Sequence, residues 1–316
     1  MALKVAALAG GVGGAKLVRG LAAVVPSDDL TVIVNTADDF DHLGLHICPD
    51  LDTVVYTLAG VANRKTGWGR DRETWNFLET METLGGPSWF RLGDRDVALH
   101  VHRSQSLRWG IPLSAVTRDL SRAFGVGPAI LPMTDDDVRT MVQTDQGEMA
   151  FQEYFVRRAC QPAVRGFRFV GAAEARPAPG VLEALAMADL VVICPSNPWV
   201  SIDPILAIPG MRQAVAGRRA AAVSPLVGGQ AVKGPAAKMA AELGVEATPE
   251  MIARHYHGLV GGMVYDEADA DCSARLADLG LRSRRTRTMM KSDRDRRRLA
   301  EEVLAFGQTL TPGRAA

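Results

Sequence analysis

The segment LKVAALAGGVGGAKLVRGLAAVV, Leu3 to Val25, constrains the fold more than any other part of the chain. Val5–Leu8 is a short apolar run of the kind that forms a buried parallel strand. Four glycines follow within five positions: Gly10, Gly11, Gly13 and Gly14. Ala15–Val25 then has helical spacing, with Leu17, Leu21 and Val24 on one side. Leu30–Val34 (LTVIV) is the next strand, so the unit is βαβ and a parallel sheet is implied. Glycine permits φ > 0 and close approach of a ligand, and a helix N-terminus presents N–H groups to an anion. The loop therefore reads as phosphate-binding, with Lys16 near enough to the helix start to reach a phosphate. It matches neither familiar nucleotide loop. Lys16 is followed by Leu17, so Gly-Lys-Ser/Thr is missing, and Lys16 also occupies the third small position of the dinucleotide fingerprint. Both ATP hydrolysis and hydride transfer are disfavoured.

Similar units recur. Asp189–Cys194 (DLVVIC) follows the helix-like Gly180–Ala188 and runs into PSNP; Arg219–Val223 runs into SPLVGG and the helical Pro235–Leu243. Ligands of open parallel sheets sit beyond the strands' carboxyl ends. The loops Gly10–Gly14, Asn35–Asp41, Pro195–Pro198 and Pro225–Gly229 thus form one candidate rim. Between these units, Arg72–Leu84 and Pro112–Phe124 have amphipathic helical patterns, and Arg139–Thr144 with Glu148–Val156 reads as a hairpin around Asp145-Gln146-Gly147. The expected architecture is α/β. A Rossmann-like, mostly parallel sheet flanked by helices is built from 1–63 and 169–312, with a helical insertion and antiparallel hairpin over 64–168. The last four residues are expected to be disordered.

Lys+Arg and Asp+Glu both number 36 among 316 residues, so no global attraction to nucleic acid or to an anionic membrane is expected. No apolar run reaches membrane-span length and no secretory signal is visible, so a cytoplasmic location is expected. Cys48, Cys160, Cys194 and Cys272 have no C-x-x-C spacing and read as buried free thiols; Cys48 alone stands near a metal-type side chain, two residues past His46.

The stretch NTADDFDHLGLHICPDLDT, Asn35 to Thr53, carries Asp38, Asp39, Asp41, Asp50 and Asp52 with no Lys or Arg. Such crowded carboxylates repel one another, and a hard divalent cation beside a phosphate resolves the repulsion. Helix capping, by Asp38 or Asp39 and by Asp50 before Leu51–Leu58, is the competing explanation. His42 and His46, and His100 and His102, are paired in sequence, but no third ligand stands at zinc-site spacing. In WFRLGDRDVALHVHRSQSLRWG, Trp89 to Gly110, Arg91, Asp94, Arg95, Asp96 and Arg103 read as a turn laced with ion pairs or as a segment contacting an anion or a ring. Ser196 and Asn197 lie on a stiff loop between prolines, and Gly228 and Gly229 precede Lys233; these could hold a nucleotide base or a second phosphate. The basic run Arg282–Arg298 reads as an edge strand and a helix starting at Ser292 or Asp293.

LAGGVGGAKLVRGL, VNTADDFDHLGLHICPDLDTVVYTLAG, LGDRD, PSNPWVSIDPILAIPGMR and VSPLVGG occur in this order. Together they resemble the 2-phospho-L-lactate transferases of coenzyme F-420 biosynthesis, over nearly the whole chain. The resemblance implies transfer of a phospho-acid unit from an acid–diphospho-guanosine donor to the deazaflavin Fo (7,8-didemethyl-8-hydroxy-5-deazariboflavin). GMP is released, and a magnesium ion is required. It further implies that Asp38, Asp39, Asp50 and Asp52 are metal ligands or catalytic carboxylates and that Asp52 and Arg91 contact Fo. Gly10, Gly11, Gly13, Gly14, Lys16, Ser196, Asn197, Gly228 and Gly229 then form the guanosine-diphosphate side. Arg91 stands where members of the family can carry lysine. The acid could be phospholactate, phosphoenolpyruvate or phosphoglycerate, and a homodimer is expected. The rival reading is a regulatory binding protein for nucleotide sugars, which would share the glycine loop but has no need of so many carboxylates.

Overall fold

The computed structural model describes residues 3–232 and 234–311. Lys233 and the last four residues, which carried expectations above, lie outside them. Seven strands form one sheet. From edge to edge they are Arg282–Thr286, Gly262–Asp266, Ala220–Val223, Leu190–Ile193, Val5–Ala9, Leu30–Val34 and Ala129–Pro132. Every neighbouring pair is parallel. The N-terminal strand lies inside the sheet. The chain builds outward from it to Ala129–Pro132, then returns and builds outward the other way from Leu190–Ile193. The step between Val5–Ala9 and Leu190–Ile193 is the topological switch point, where open α/β sheets bind ligands.

Burial follows from this position. Val5–Ala9 and Leu190–Ile193 are buried at every residue, as strands covered on both faces must be. Their side chains alternate between two cores. Leu8, Ile33 and Ile193 pack with the helices Val181–Met187, Met211–Ala216 and Pro249–His255. Ala7, Val32 and Val192 pack with Gly11–Ala22, Pro49–Ala59 and Asp293–Gln308. No described helix is long and apolar enough to cross a membrane.

Four local expectations change. The first helix begins at Gly11, not Ala15, so the glycines form its first turn. The segment 64–168 contains Ala129–Pro132, the edge strand paired with Leu30–Val34, and so contributes to the core sheet. The hairpin's second strand is Gly147–Ala150; the chain then turns helical over Glu153–Arg157, and Val164–Val170 adds a third strand. The charged segment after Arg91 contains a 15-residue helix, Asp94–Arg108. Its inward face carries Asp96, His100 and Arg103, so no apolar stripe announced it. The basic run is an edge strand followed by a helix, as its pattern indicated, with Ser292 and Asp295 forming a capping box.

The glycines of the first turn are demanded by packing. A Cβ on Gly13 would overlap the Pro195 carbonyl oxygen, and one on Gly14 would lie 2.5 Å from Ser196 Oγ. Gly13→Ala should therefore cost about 1–3 kcal/mol of stability by forcing the two loops apart. Urea unfolding of the variant beside the parent measures this, and an unchanged midpoint would contradict it.

Candidate active site

A cavity of about 610 Å³ opens beyond the carboxyl ends of the strands, at the switch point. Its floor is the crossing of two loops. Ser196 Oγ accepts from Gly10 N–H at 3.1 Å and donates to the Gly10 carbonyl at 2.8 Å. Asn197 caps the turn Pro198–Ile202 by accepting from Trp199 N–H. Gly10, Gly11, Gly13, Lys16, Ser196 and Asn197 all line the cavity. Gly14 is packed behind it on Ser196 and Ala9. Gly228 and Gly229 do not line it: both have positive φ in the turn joining Leu226–Val227 to Gln230–Ala231, and Gly229 N–H donates to Asp269.

The carboxylate helix Pro49–Ala59 points its first turn at this floor. Asp50 accepts Gly11 N–H at 2.7 Å and Asn35 Nδ2–H at 3.1 Å. The Gly11 amide expected to meet a phosphate is thus already engaged by Asp50. Asn35 also donates to the Val200 carbonyl, so one amide ties the carboxylate helix to the second loop. Asp38, Asp50 and Asp52 line the cavity; Asp39 does not. Asp52 faces the helix Asp94–Arg108, where Arg103, 2% exposed, grips both its carboxylate oxygens. His100 Nδ1 lies 3.3 Å from Arg103 Nη1. Burial, against the pull of Asp52, lowers the His100 pKa to about 4, so the ring is neutral. With Nδ1 accepting from Arg103, its proton sits on Nε2.

Three carboxyls of the cavity wall resist ionisation. Burial, then the Asp50 charge, holds Asp38 well above the usual range, and its Oδ1 is buried with no hydrogen-bond partner among the described residues. Burial raises Asp50 to about 6, against the hydrogen bonds from Asn35 and Gly11. Burial raises Asp96 to about 7, with Asp52 adding to the rise and Tyr56 opposing it. An orphaned buried oxygen beside a second desolvated carboxylate is the environment a bound hard cation relieves, so Asp38 and Asp50 fit magnesium. Asp52 is already neutralised by Arg103.

The opposite wall is aromatic. Trp68, Trp89, Phe90, Phe151 and Phe155 line it, and Arg91 lies over Trp75 at 4.5 Å while also facing the cavity. Thr288, Met289 and Met290 close the remaining side, whereas the arginines of their basic stretch do not line the cavity. Arg284 and Arg298 pair with Glu302, and Arg297 with Glu301. The sequence reading overlooked Tyr56, Phe151, Phe155 and Met289. Tyr56 was legible, being one turn beyond Asp52; the others have no local signal.

Two stability measurements test these electrostatics. Arg103→Met leaves Asp52 buried without its partner and should cost about 3–5 kcal/mol in denaturant unfolding. For Asp38 the folded pKa lies above the unfolded one, so the folded state holds the proton more tightly. Its stabilising contribution is complete below the unfolded value and is lost as pH rises through the folded one. Asp38→Asn should therefore stabilise the ligand-free protein relative to the parent at pH 8 and not at pH 3.5, a difference readable by thermal unfolding. The comparison cancels the opposite contribution of His100, whose lowered pKa makes stability rise with pH.

The family model described as 2-phospho-L-lactate transferase CofD matches residues 5–304. A phosphoenolpyruvate transferase of Streptomyces griseus subsp. griseus is 46% identical, covering 96% of this chain and 100% of its own. A 2-phospho-L-lactate transferase of Methanosarcina acetivorans is 41% identical over 96% of this chain and 99% of its own. The crystal structure of protein BH3568 from Bacillus halodurans shares the fold, with TM-score 0.65 and 16% identity over 96% of this chain and 100% of that one. Sequence motifs, sheet order and whole-length similarity agree: the chain belongs to the 2-phospho-L-lactate transferase CofD family.

Proposed function

We propose that the protein transfers a phospho-acid unit from an acid–diphospho-guanosine donor to the terminal ribityl hydroxyl of Fo, releasing GMP. The observation that carries this reading is the pair Asp38 and Asp50, desolvated, mutually repelling and set beside the glycine loop in one cavity. The whole-length relatives named as transferases of phosphoenolpyruvate and 2-phospho-L-lactate support the same class of chemistry. The aromatic wall offers stacking surface to a flat deazaflavin, and Arg91, held over Trp75, offers a cation to its polar edge.

Phosphoryl transfer asks the protein mainly for positioning and charge neutralisation. The Fo hydroxyl oxygen forms a bond to the phosphorus that carries the acid, and the bond from that phosphorus to the bridging oxygen of GMP breaks. The hydroxyl proton passes to a carboxylate outside the metal pair; Asp96, which lines the same cavity and is raised by burial to about 7, suits that role. Magnesium held by Asp38 and Asp50 would neutralise the diphosphate. Lys16 and the start of the helix Gly11–Ala22 stabilise the charge that GMP carries away. Arg103 holds both oxygens of Asp52 in place, so Asp52 shapes the acceptor side of the cavity.

The test is turnover with Fo, magnesium and each of the guanylylated acids derived from phospholactate, phosphoenolpyruvate and phosphoglycerate, with product masses read by mass spectrometry. Product should form with at least one donor, and Asp50→Asn, which removes a magnesium ligand, should lower kcat about 100-fold or more. No product with any donor, together with a thermal shift given by a UDP-sugar but not by Fo plus GDP, would favour the binding-protein reading instead.

A further inference from the structure

Asp39 does not line the cavity, although its charge raises Asp38 and Asp50. It is 2% exposed, and neither carboxylate oxygen has a hydrogen-bond partner among the described residues. A buried carboxylate in that state is costly unless something cationic meets it. Facing it are His46, on the short ribbon formed by Phe40–His42 and Leu45–Ile47, and the fully buried Cys48, at the N-cap of the carboxylate helix. One donor atom from each of Asp39, His46 and Cys48 lies within 4.8 Å of the others. His46 Nε2 is 3.7 Å from Asp39 Oδ2. Two such ligands on one tetrahedral zinc, at bond lengths near 2.1 Å, would stand about 3.4 Å apart, so little movement closes the site. The other face of the ring is already placed: His46 Nδ1 lies 3.2 Å from Asp41 Oδ1. A carboxylate behind the imidazole is the arrangement that orients a metal-bound histidine.

We propose that Asp39, His46 and Cys48 bind a zinc-class divalent ion, separate from the carboxylates that face the cavity. Sulfur, imidazole and carboxylate form a borderline-soft set, which suits zinc or cobalt and not magnesium. The carboxylate and thiolate supply two negative charges. The nearby positive charge of Arg103 is answered by Asp52. Binding forms the metal–sulfur bond and releases the Cys48 proton to solvent. A water fills the fourth position. The ion ties the turn after Leu30–Val34, the ribbon and the N-cap of the carboxylate helix into one unit, and so fixes where Asp50 and Asp52 stand.

The test uses the full chain, stripped with a chelator and titrated with cobalt(II) in excess magnesium, which occupies the hard carboxylates. The expected result is one cobalt per chain with a thiolate-to-cobalt charge-transfer band. Cys48→Ser should abolish the band. His46→Gln, at a partly exposed position that tolerates change, should weaken cobalt binding at least ten-fold, and Asp41→Asn by about ten-fold. Asp38→Asn should leave the band unchanged. Absence of the band in the parent, its persistence in Cys48→Ser, or equal cobalt affinity in His46→Gln and the parent would each overturn the proposal. None of these readouts depends on turnover.

Discussion

A single hydroxyl holds the switch point together. Ser196 accepts from the amide of Gly10 and donates to its carbonyl, stapling the loop after Leu190–Ile193 onto the loop after Val5–Ala9. Each further feature of the cavity floor depends on that contact. The loops approach so closely that Gly13 and Gly14 have no room for a side chain. The first helix therefore starts inside the glycine run, and Gly11, at φ +61°, turns its amide to Asp50. Asn35 extends the chain of bonds from Asp50 to the Val200 carbonyl, on the same loop that Ser196 began. The result is a closed ring of hydrogen bonds through three βα loops, with the ligand cavity above it.

Around this ring the charge is deliberately unequal. Asp52 is buried but answered by Arg103 on both oxygens, so its position is fixed. Asp38 and Asp50 have no cationic partner among the described residues; burial pushes both toward the protonated state, with the Asp50 charge adding to the rise of Asp38 and the Asp39 charge to that of Asp50. Perturbed carboxyls in a cleft are where proton transfer and cation binding concentrate. The ligand-free fold is destabilised by this pair.

Much of this was legible in the chain. The βαβ start, the strands ending in Gly, Pro, Ser and Asn loops, and the crowding of aspartates were local patterns, and the structure joins those loops at one rim. The helix Asp94–Arg108 was not legible. Its buried face is ionic, and periodicity methods look for apolar stripes. Arg103 was noticed as a charge, while its burial opposite Asp52 depends on a residue 51 positions away. The glycines Gly228 and Gly229 repeat the sequence logic of the first loop, yet they sit in a ribbon turn. Positive φ serves a turn and a ligand cradle equally, and spacing cannot tell the two apart.

The sequence by itself determined the sheet's parallel character and the loops and carboxylates that gather at its rim. Apolar runs, glycine and clustered carboxylates act through local sterics and local repulsion, which a linear reading can weigh. Tertiary structure alone decided which carboxylate is free and which is spent. Asp38, Asp39, Asp50 and Asp52 are equivalent as letters. Folding gives Asp52 to Arg103, Asp50 to Gly11 and Asn35, and Asp39 to His46 and Cys48, and leaves Asp38 with an unpartnered oxygen at the cavity wall. The role of a buried charge is set by the groups that surround it, and those groups come from distant parts of the chain.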